Sequence, residues 1–371
     1  MKALKLLLIE FYKYIINNIF IFWENKMNSN LLSVIIPAYN CSNTIERLLN
    51  SIILQHDDDL EIIICDDHST DNFMDKVKPY YDKLNIKYYK TKDREIHCPS
   101  NTRLDALGQA NNKWIIFIDS DDMFIPNSFK YIKNAIKECD NSYKVIYSNF
   151  KDYNSNTNKF NEVYNSTVWL HGKIYNRHFL IENNINFKEN LYILEDMYFN
   201  NIVFANIIAK NYKIKHINDF TYIKIDNDKS FTSSIDTSKH KIGEIYFNNY
   251  ITAILEPFLI YINKYPDSFN DFYYYACQAY IFIYLYMQFF MSSSKDNYIK
   301  ENLKYIKNAL INICNTFNTD IDNIINFAYS NPEIYEKIKN EVQYCEKCKF
   351  IEVYSLYEFT NNLFKNENGL K

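Results

Sequence analysis

Residues 115–124 read IIFIDSDDMF. Four apolar residues, Ile115 to Ile118, run straight into Asp119, Ser120, Asp121 and Asp122. An apolar run bounded by turn residues is a buried strand, so three carboxylates stand at a strand's exit. At a separation of about 4 Å and an effective dielectric of about 20, each pair repels by about 4 kcal/mol. Residues i and i+2 of an extended segment face the same way. Asp119 and Asp121 then lie side by side, able to hold a divalent ion and leave coordination positions open. Hard oxygen donors select Mg²⁺ or Mn²⁺, and either ion would cancel the repulsion and neutralise a diphosphate. The plainer reading is a solvated acidic turn ahead of the helix NSFKYIKNAIKEC (127–139), with Asn127 or Ser128 as its cap.

Outward from this stretch the chain keeps a βα rhythm. LLSVIIPAYN (31–40), LEIIICDDHSTD (60–71), NIKYYKT (85–91) and YKVIYSNF (143–150) read as further strands. Between them TIERLLNSIILQ (44–55), NFMDKVKPYYDKL (72–84) and NTRLDALGQAN (101–111) have helical spacing. Near-continuous apolar strands alternating with helices predict an α/β fold with a mostly parallel sheet covered on both faces. Polar clusters close three of the strands, at Pro37–Asn40, Asp66–Asp71 and Asp119–Asp122. Ligands of open α/β sheets bind outside those ends, so the clusters are expected to share one crevice.

Composition narrows the chemistry. The net charge of −4 over 371 residues offers no electrostatic footprint for nucleic acid. The four glycines, Gly108, Gly172, Gly243 and Gly369, are far apart, which excludes both a GxGxxG fingerprint and a GxxxxGK[ST] loop. A diphosphate bound here must be managed without a glycine cradle. Several of the eight cysteines sit in apolar runs, as reduced thiols do, and the CEKC at 345–348 lacks a second ligand pair for zinc.

SVIIPAYNCSNTIERLLNSI, IIICDDHSTDN and KWIIFIDSDDMF, in that order and spacing, resemble the nucleotide-binding signatures of family 2 glycosyltransferases. LHGKIYNRHFL and ILEDMYF resemble the acceptor half of the same GT-A fold. The resemblance covers residues 31–235 and implies an inverting enzyme that uses a nucleotide-diphospho sugar, in first place a UDP-sugar, with Mn²⁺ or Mg²⁺. By that resemblance Pro37, Ala38, Tyr39 and Asn40 line the base pocket, and Asp67 (with Asp66 as the alternative) accepts a hydrogen bond from the base. A carboxylate suits the imide N–H of uracil. Asp119, Ser120 and Asp121 match the sugar-nucleotide motif, with Asp121 the first metal ligand, Asp119 its partner and Asp122 in support. The family's Arg-Asn-x-Gly is RLDA here, keeping Arg103 for a phosphate or an acidic neighbour.

Glu195-Asp196 matches the family's acidic pair at a helix start, which implies Asp196 as general base. Acidic residues also suit a helix N-terminus for electrostatic reasons alone. Lys229 and Ser230 resemble a loop that closes on the diphosphate. His171, His178, His216 and His240 are the candidates for a third metal ligand, with nothing in the sequence to choose among them. A sugar nucleotidyltransferase would carry a glycine-rich loop, which is absent; a catalytically silent sugar-nucleotide-binding protein is the other rival.

Three regions are expected: an apolar N-terminal helix over 1–26, a GT-A domain over 27–236 and a mainly helical region over 237–371. Residues 1–26 suit a helix lying on a membrane surface; a helix packed on the domain, and an extension upstream of a natural start at Met27, are the alternatives. FYYYACQAYIFIYLYMQFFM (272–291) is uncharged, but its tyrosines and glutamines favour a buried or surface helix over a span. The implied setting is the cytoplasmic side, against the inner membrane face, where the enzyme would extend a saccharide or lipid-linked acceptor of a surface polysaccharide such as a capsule.

Overall fold

The strand β1, Leu32–Ala38, is the hub of the sheet, pairing in parallel with β2, Leu60–Asp66, on one side and with β4, Trp114–Phe117, on the other. β3, Ile86–Lys90, adds in parallel beyond β2. The computed structural model describes residues 31–226, apart from 58 and 167, and scattered positions between 249 and 330. The segments 1–26, 272–291 and 345–348, with Lys229, Ser230 and His240, lie outside the described residues. Among the described residues no helix is long and apolar enough to cross a membrane.

Every position of β2 is buried, as expected of a strand covered on both faces. The helix α1, Ile45–Ile53, buries Ile45, Leu48, Leu49 and Ile52, one face at helical spacing. These pack on Val34, Ile36, Ile62 and Ile64, with Phe73 of the short α2, Phe73–Val77, in the same core. Each such side chain contributes about 1.5–3 kcal/mol on burial. α3, Pro99–Leu107, starts with proline at its first turn, where no donor is lost. It buries a polar row, Ser100 to Arg103, because that row makes specific bonds: Asn101 Nδ2 donates to Ile96 O at 2.9 Å and Thr102 Oγ1 to Cys98 O at 3.1 Å.

Beyond β4 the sheet changes direction, and the mostly parallel expectation holds only for its first half. The order is β3-β2-β1-β4-β8-β6-β9-β5, with β7 on β6. β8, Lys173–Asn176, is antiparallel to both β4 and β6, Tyr143–Asn154. β9, Lys213–Ile225, runs parallel to β6, and β5, Met123–Phe124, antiparallel to β9. β7, Lys159–Val163, forms a hairpin with β6 in a stretch whose exposed polar residues carry no strand pattern. In 165–187 the strand β8 follows Gly172, and α5, Arg177–Glu182, completes the segment. Asn127 sits ahead of α4, Ser128–Glu138, but in the left-handed region with no side-chain cap bond; Ser128 Oγ instead donates to the carbonyls of Ile125 and Thr221.

The chain divides into two compact units, Met1–Leu191 with Tyr212–Ser230, and Tyr192–Asn211 with Phe231–Lys371. Residues 192–211 group with the second unit. They hold α6, Glu195–Ala209, which is apolar on nearly all sides. Its buried Asn206 accepts from Tyr265 Oη at 3.0 Å within that unit.

Candidate active site

The first two strand exits are laced together. Asn40 adopts φ +46°, and its Oδ1 accepts from Thr70 N at 2.8 Å and Asp71 N at 3.2 Å. Its own amide donates to Ser69 Oγ at 3.0 Å, and Ser42 N donates to Asp71 Oδ2 at 2.8 Å. Asn40 therefore joins the loops after β1 and β2 through its backbone amide and Oδ1, while its side chain stays exposed. Pro37 and Ala38 close β1, whereas Tyr39 is 61% exposed beside them. The buried Asp66 is also committed, Oδ1 accepting from Ser69 N at 2.8 Å and Oδ2 from Tyr88 Oη at 2.7 Å. Burial, and then the Asp66 carboxylate, push the Tyr88 hydroxyl well above its ordinary range.

Asp67 differs from its neighbour. Its amide donates to Ala38 O at 2.8 Å. Its Oδ1 accepts from Thr91 Oγ1 at 3.0 Å and lies 2.9 Å from His97 Nδ1. Both side-chain contacts use Oδ1, which leaves Oδ2 for a donor from outside.

The third exit is a turn and not an extended run. Asp122 N donates to Asp119 O at 3.1 Å, so the premise that places Asp119 and Asp121 on one side of a strand does not hold. Arg47 of α1 clamps the turn by donating to the Asp121 carbonyl. Arg103 of α3 reaches Asp119 Oδ1 at 2.5 Å. Asp122 is 2% exposed and accepts from Tyr222 Oη and, at 2.8 Å, from Ile225 N.

His171 joins this turn from the far half of the sheet. The antiparallel register pairs Trp114 with Asn176, Ile115 with Tyr175 and Ile116 with Ile174. Continued past the strands, the same count sets Asp119 opposite His171. The histidine Nε2 lies 3.8 Å from Asp119 Oδ2 and 3.9 Å from Asp122 Oδ2. Asp119, Asp122 and His171 thus bring ligand atoms within 4.8 Å of one another. Asp121 is half-buried on the same turn and stands outside that trio. Gly172 makes the approach possible: its φ is +70°, and a Cβ there would lie 2.7 Å from Ser148 O. Of the other histidines, His178 is exposed and paired with Glu182, and the exposed His216 lies 3.1 Å from Asn165 Oδ1. The signal that selects His171 is the strand pair on its flank, which becomes visible only once register is known.

The charges of the cluster oppose one another. Burial would push the Asp119 carboxyl up, but the Arg103 guanidinium and then His171 outweigh it and hold it well below the carboxylate range. Asp122 is driven the other way, by burial and then by the neighbouring charges of Asp119 and Asp121. Two carboxylate oxygens and an imidazole nitrogen brought this close fit a divalent cation, Mn²⁺ more readily than Mg²⁺ because of the nitrogen.

Ser120 lies within the turn, half-buried. Glu195 and Asp196 open α6 in the second unit, behind Leu194 in a left-handed conformation. The helix macrodipole favours acidic residues in that first turn. A separate cleft of about 500 Å³ between β3, α3 and α5 is lined by Cys65, Tyr89, Leu107, Arg177 and Ile185 and contains none of the strand-exit carboxylates.

Residues 33–199 match the model of the family described as Glycosyl transferase family 2. The chain carries a family 2 glycosyl transferase domain. Its sheet is the α/β, GT-A arrangement expected from the motifs. The domain is 39% identical over 99 residues to the uncharacterized glycosyltransferase MG060 of Mycoplasma genitalium, covering 25% of this chain and 33% of that protein. It is 34% identical over 105 residues to the UDP-Glc:alpha-D-GlcNAc-diphosphoundecaprenol beta-1,3-glucosyltransferase WfgD of Escherichia coli, covering 27% of this chain and 39% of that one. The crystal structure of Staphylococcus aureus TarS 1–349 in complex with UDP aligns over 87% of this chain and 94% of its own, at 21% identity and a TM-score of 0.49. The chain spans about a third of the length of the first two relatives.

Proposed function

We propose that the chain is an inverting, divalent-metal-dependent glycosyltransferase that moves a sugar from a nucleotide-diphospho sugar, in first place a UDP-sugar, to a hydroxyl of a saccharide or lipid-linked acceptor. The observation that carries the reading is the meeting of the Asp119–Asp122 turn, Arg103 and His171 outside the end of β4, in a domain whose first two strand exits are laced together by Asn40. The name of WfgD, which specifies UDP-Glc and a diphosphoundecaprenol-linked sugar, supports a UDP donor and a saccharide or lipid-linked acceptor.

Asp67 Oδ2 accepts the imide N–H of the base while Tyr39 offers its exposed ring. Asp119, Asp122 and His171 would hold Mn²⁺ or Mg²⁺, with Asp121 of the same turn as a further ligand and with Tyr222 and Ile225 bracing Asp122. The bound ion supplies positive charge to the leaving diphosphate. Asp196 is the proposed general base, a role that rests on the Glu-Asp motif. It takes the proton of the acceptor hydroxyl as that oxygen bonds to the anomeric carbon. The bond from that carbon to the diphosphate breaks, its electron pair leaves with the nucleotide, and the configuration inverts in one displacement.

Saturating UDP with Mn²⁺ is expected to raise the Tm by about 5 °C. The rise should be absent without a divalent ion and in Asp121→Asn; a metal-independent shift would contradict the assignment. Asp196→Asn should keep that Tm rise and lower transfer by about 10²- to 10⁴-fold. Full transfer by this variant would remove Asp196 as the base.

A further inference from the structure

Trp169 is one of the largest exposed apolar side chains of the described residues, at 47%. Its ring stacks on the His171 imidazole with centroids 5.8 Å apart and planes 11° from parallel. His171 in turn is buried against Phe150 at 5.1 Å and Tyr222 at 4.8 Å, so the histidine backing the indole is fixed. The Trp169 backbone is tethered as well: its carbonyl accepts from the buried Lys173 Nζ, and its amide donates to Ser166 Oγ at 3.4 Å. One face of the indole is thus covered by a rigid ring, and half the side chain remains open to solvent. The covered face rests on the same imidazole whose Nε2 faces Asp119 and Asp122.

A preorganised, outward-facing indole one ring away from the carboxylate turn has a specific partner chemistry. The face of an aromatic ring is negative. A pyranose presents a face of axial C–H groups, weakly positive and apolar, that stacks on such a surface while its hydroxyls remain in water. An open-chain alditol or a simple alcohol offers no such face. We infer that Trp169 is the floor of an acceptor subsite for a pyranose ring, which assigns the acceptor to saccharides that end in a six-membered sugar. This deepens the glycosyltransferase reading and rests on it.

Saturation-transfer NMR on the full chain with UDP and Mg²⁺ tests the inference, with methyl β-D-glucopyranoside, methyl β-D-galactopyranoside and ribitol as probes. Saturation is expected to reach the ring protons of a pyranoside and not ribitol. Trp169→Ala should weaken the pyranoside signal about fivefold or more, while Trp169→Phe retains most of it. The metal-dependent Tm rise with UDP should be unchanged in both variants, which shows that they fold and that the ring does not hold the donor. Equal signals from ribitol, an unchanged signal in Trp169→Ala, or loss of the UDP response in that variant would each overturn the assignment. Failure of the unaltered protein to respond to UDP would strike the glycosyltransferase reading, whereas a UDP response without pyranoside saturation would strike this subsite alone.

Discussion

Gly172 and Asp67 show how single residues set the site. A methyl group at Gly172 would meet Ser148 O at 2.7 Å and Ser148 Oγ at 2.9 Å, on a backbone that L-residues rarely adopt. Gly172→Ala is therefore expected to cost about 1–3 kcal/mol in urea denaturation, and to weaken Mn²⁺ binding because His171 is the adjacent residue. A variant with wild-type stability and metal affinity would show that neighbouring Ser148 simply gives way. Sequence reasoning left Asp66 and Asp67 as alternatives because two adjacent carboxylates look the same in a string of letters. Their bonding separates them: Asp66 is used on both oxygens, and Asp67 on one.

The lacing of loops is a property of elements. Asn40 joins the exit of β1 to that of β2 through an acceptor that three donors share, the backbone amides of Thr70 and Asp71 and the Thr70 hydroxyl. Asn40→Ala should lose about 1–3 kcal/mol and raise the UDP dissociation constant, since it frees Tyr39 and the loop behind Asp67 together. Asn40→Asp keeps the acceptor and should keep most of the stability, a contrast that urea titration of the two variants would measure. The parallel half of the sheet was legible in the sequence because its strands are apolar runs such as LEIIICD, buried at every position. The second half was not. β7, KFNEV, is short and exposed at all but its last residue, and its pairing comes from β6 rather than from any pattern of its own. The third acidic exit was placed correctly at the end of a strand, but its internal geometry is set by a backbone turn that spacing alone does not reveal.

At the scale of the whole domain, the end of the sheet opposite the carboxylate turn is held by a buried charge. Glu61 accepts from Ser33 Oγ at 2.5 Å, Lys87 Nζ at 2.5 Å, and Asn111 N and Nδ2 at 2.9 Å each. Burial pushes this carboxyl up, but Lys87, Ser33 and Asn111 outweigh it and hold it at about 2, below its ordinary 4.5. A depressed carboxylate stabilises the fold above its unfolded value and loses that contribution as pH falls through the folded one. Stability is thus expected to drop by about 3 kcal/mol between pH 4.5 and pH 2 on account of this group. Glu61→Gln should flatten that part of the pH profile in urea melts; an unchanged slope would assign acid sensitivity to other carboxylates. The reversal of direction between β4 and β8 also governs where this chain can change length. His171 reaches Asp119 by counting residues across an antiparallel pair, so one codon gained or lost between 171 and 176 would set a different side chain opposite Asp119. The tip of the β6–β7 hairpin, at 155–158, stands outside that count. Insertions that lengthen the protein are therefore tolerable at the hairpin tip and ruinous sixteen residues later, a difference that a scan of single-residue insertions would read directly as the UDP- and Mn²⁺-dependent Tm rise or its absence.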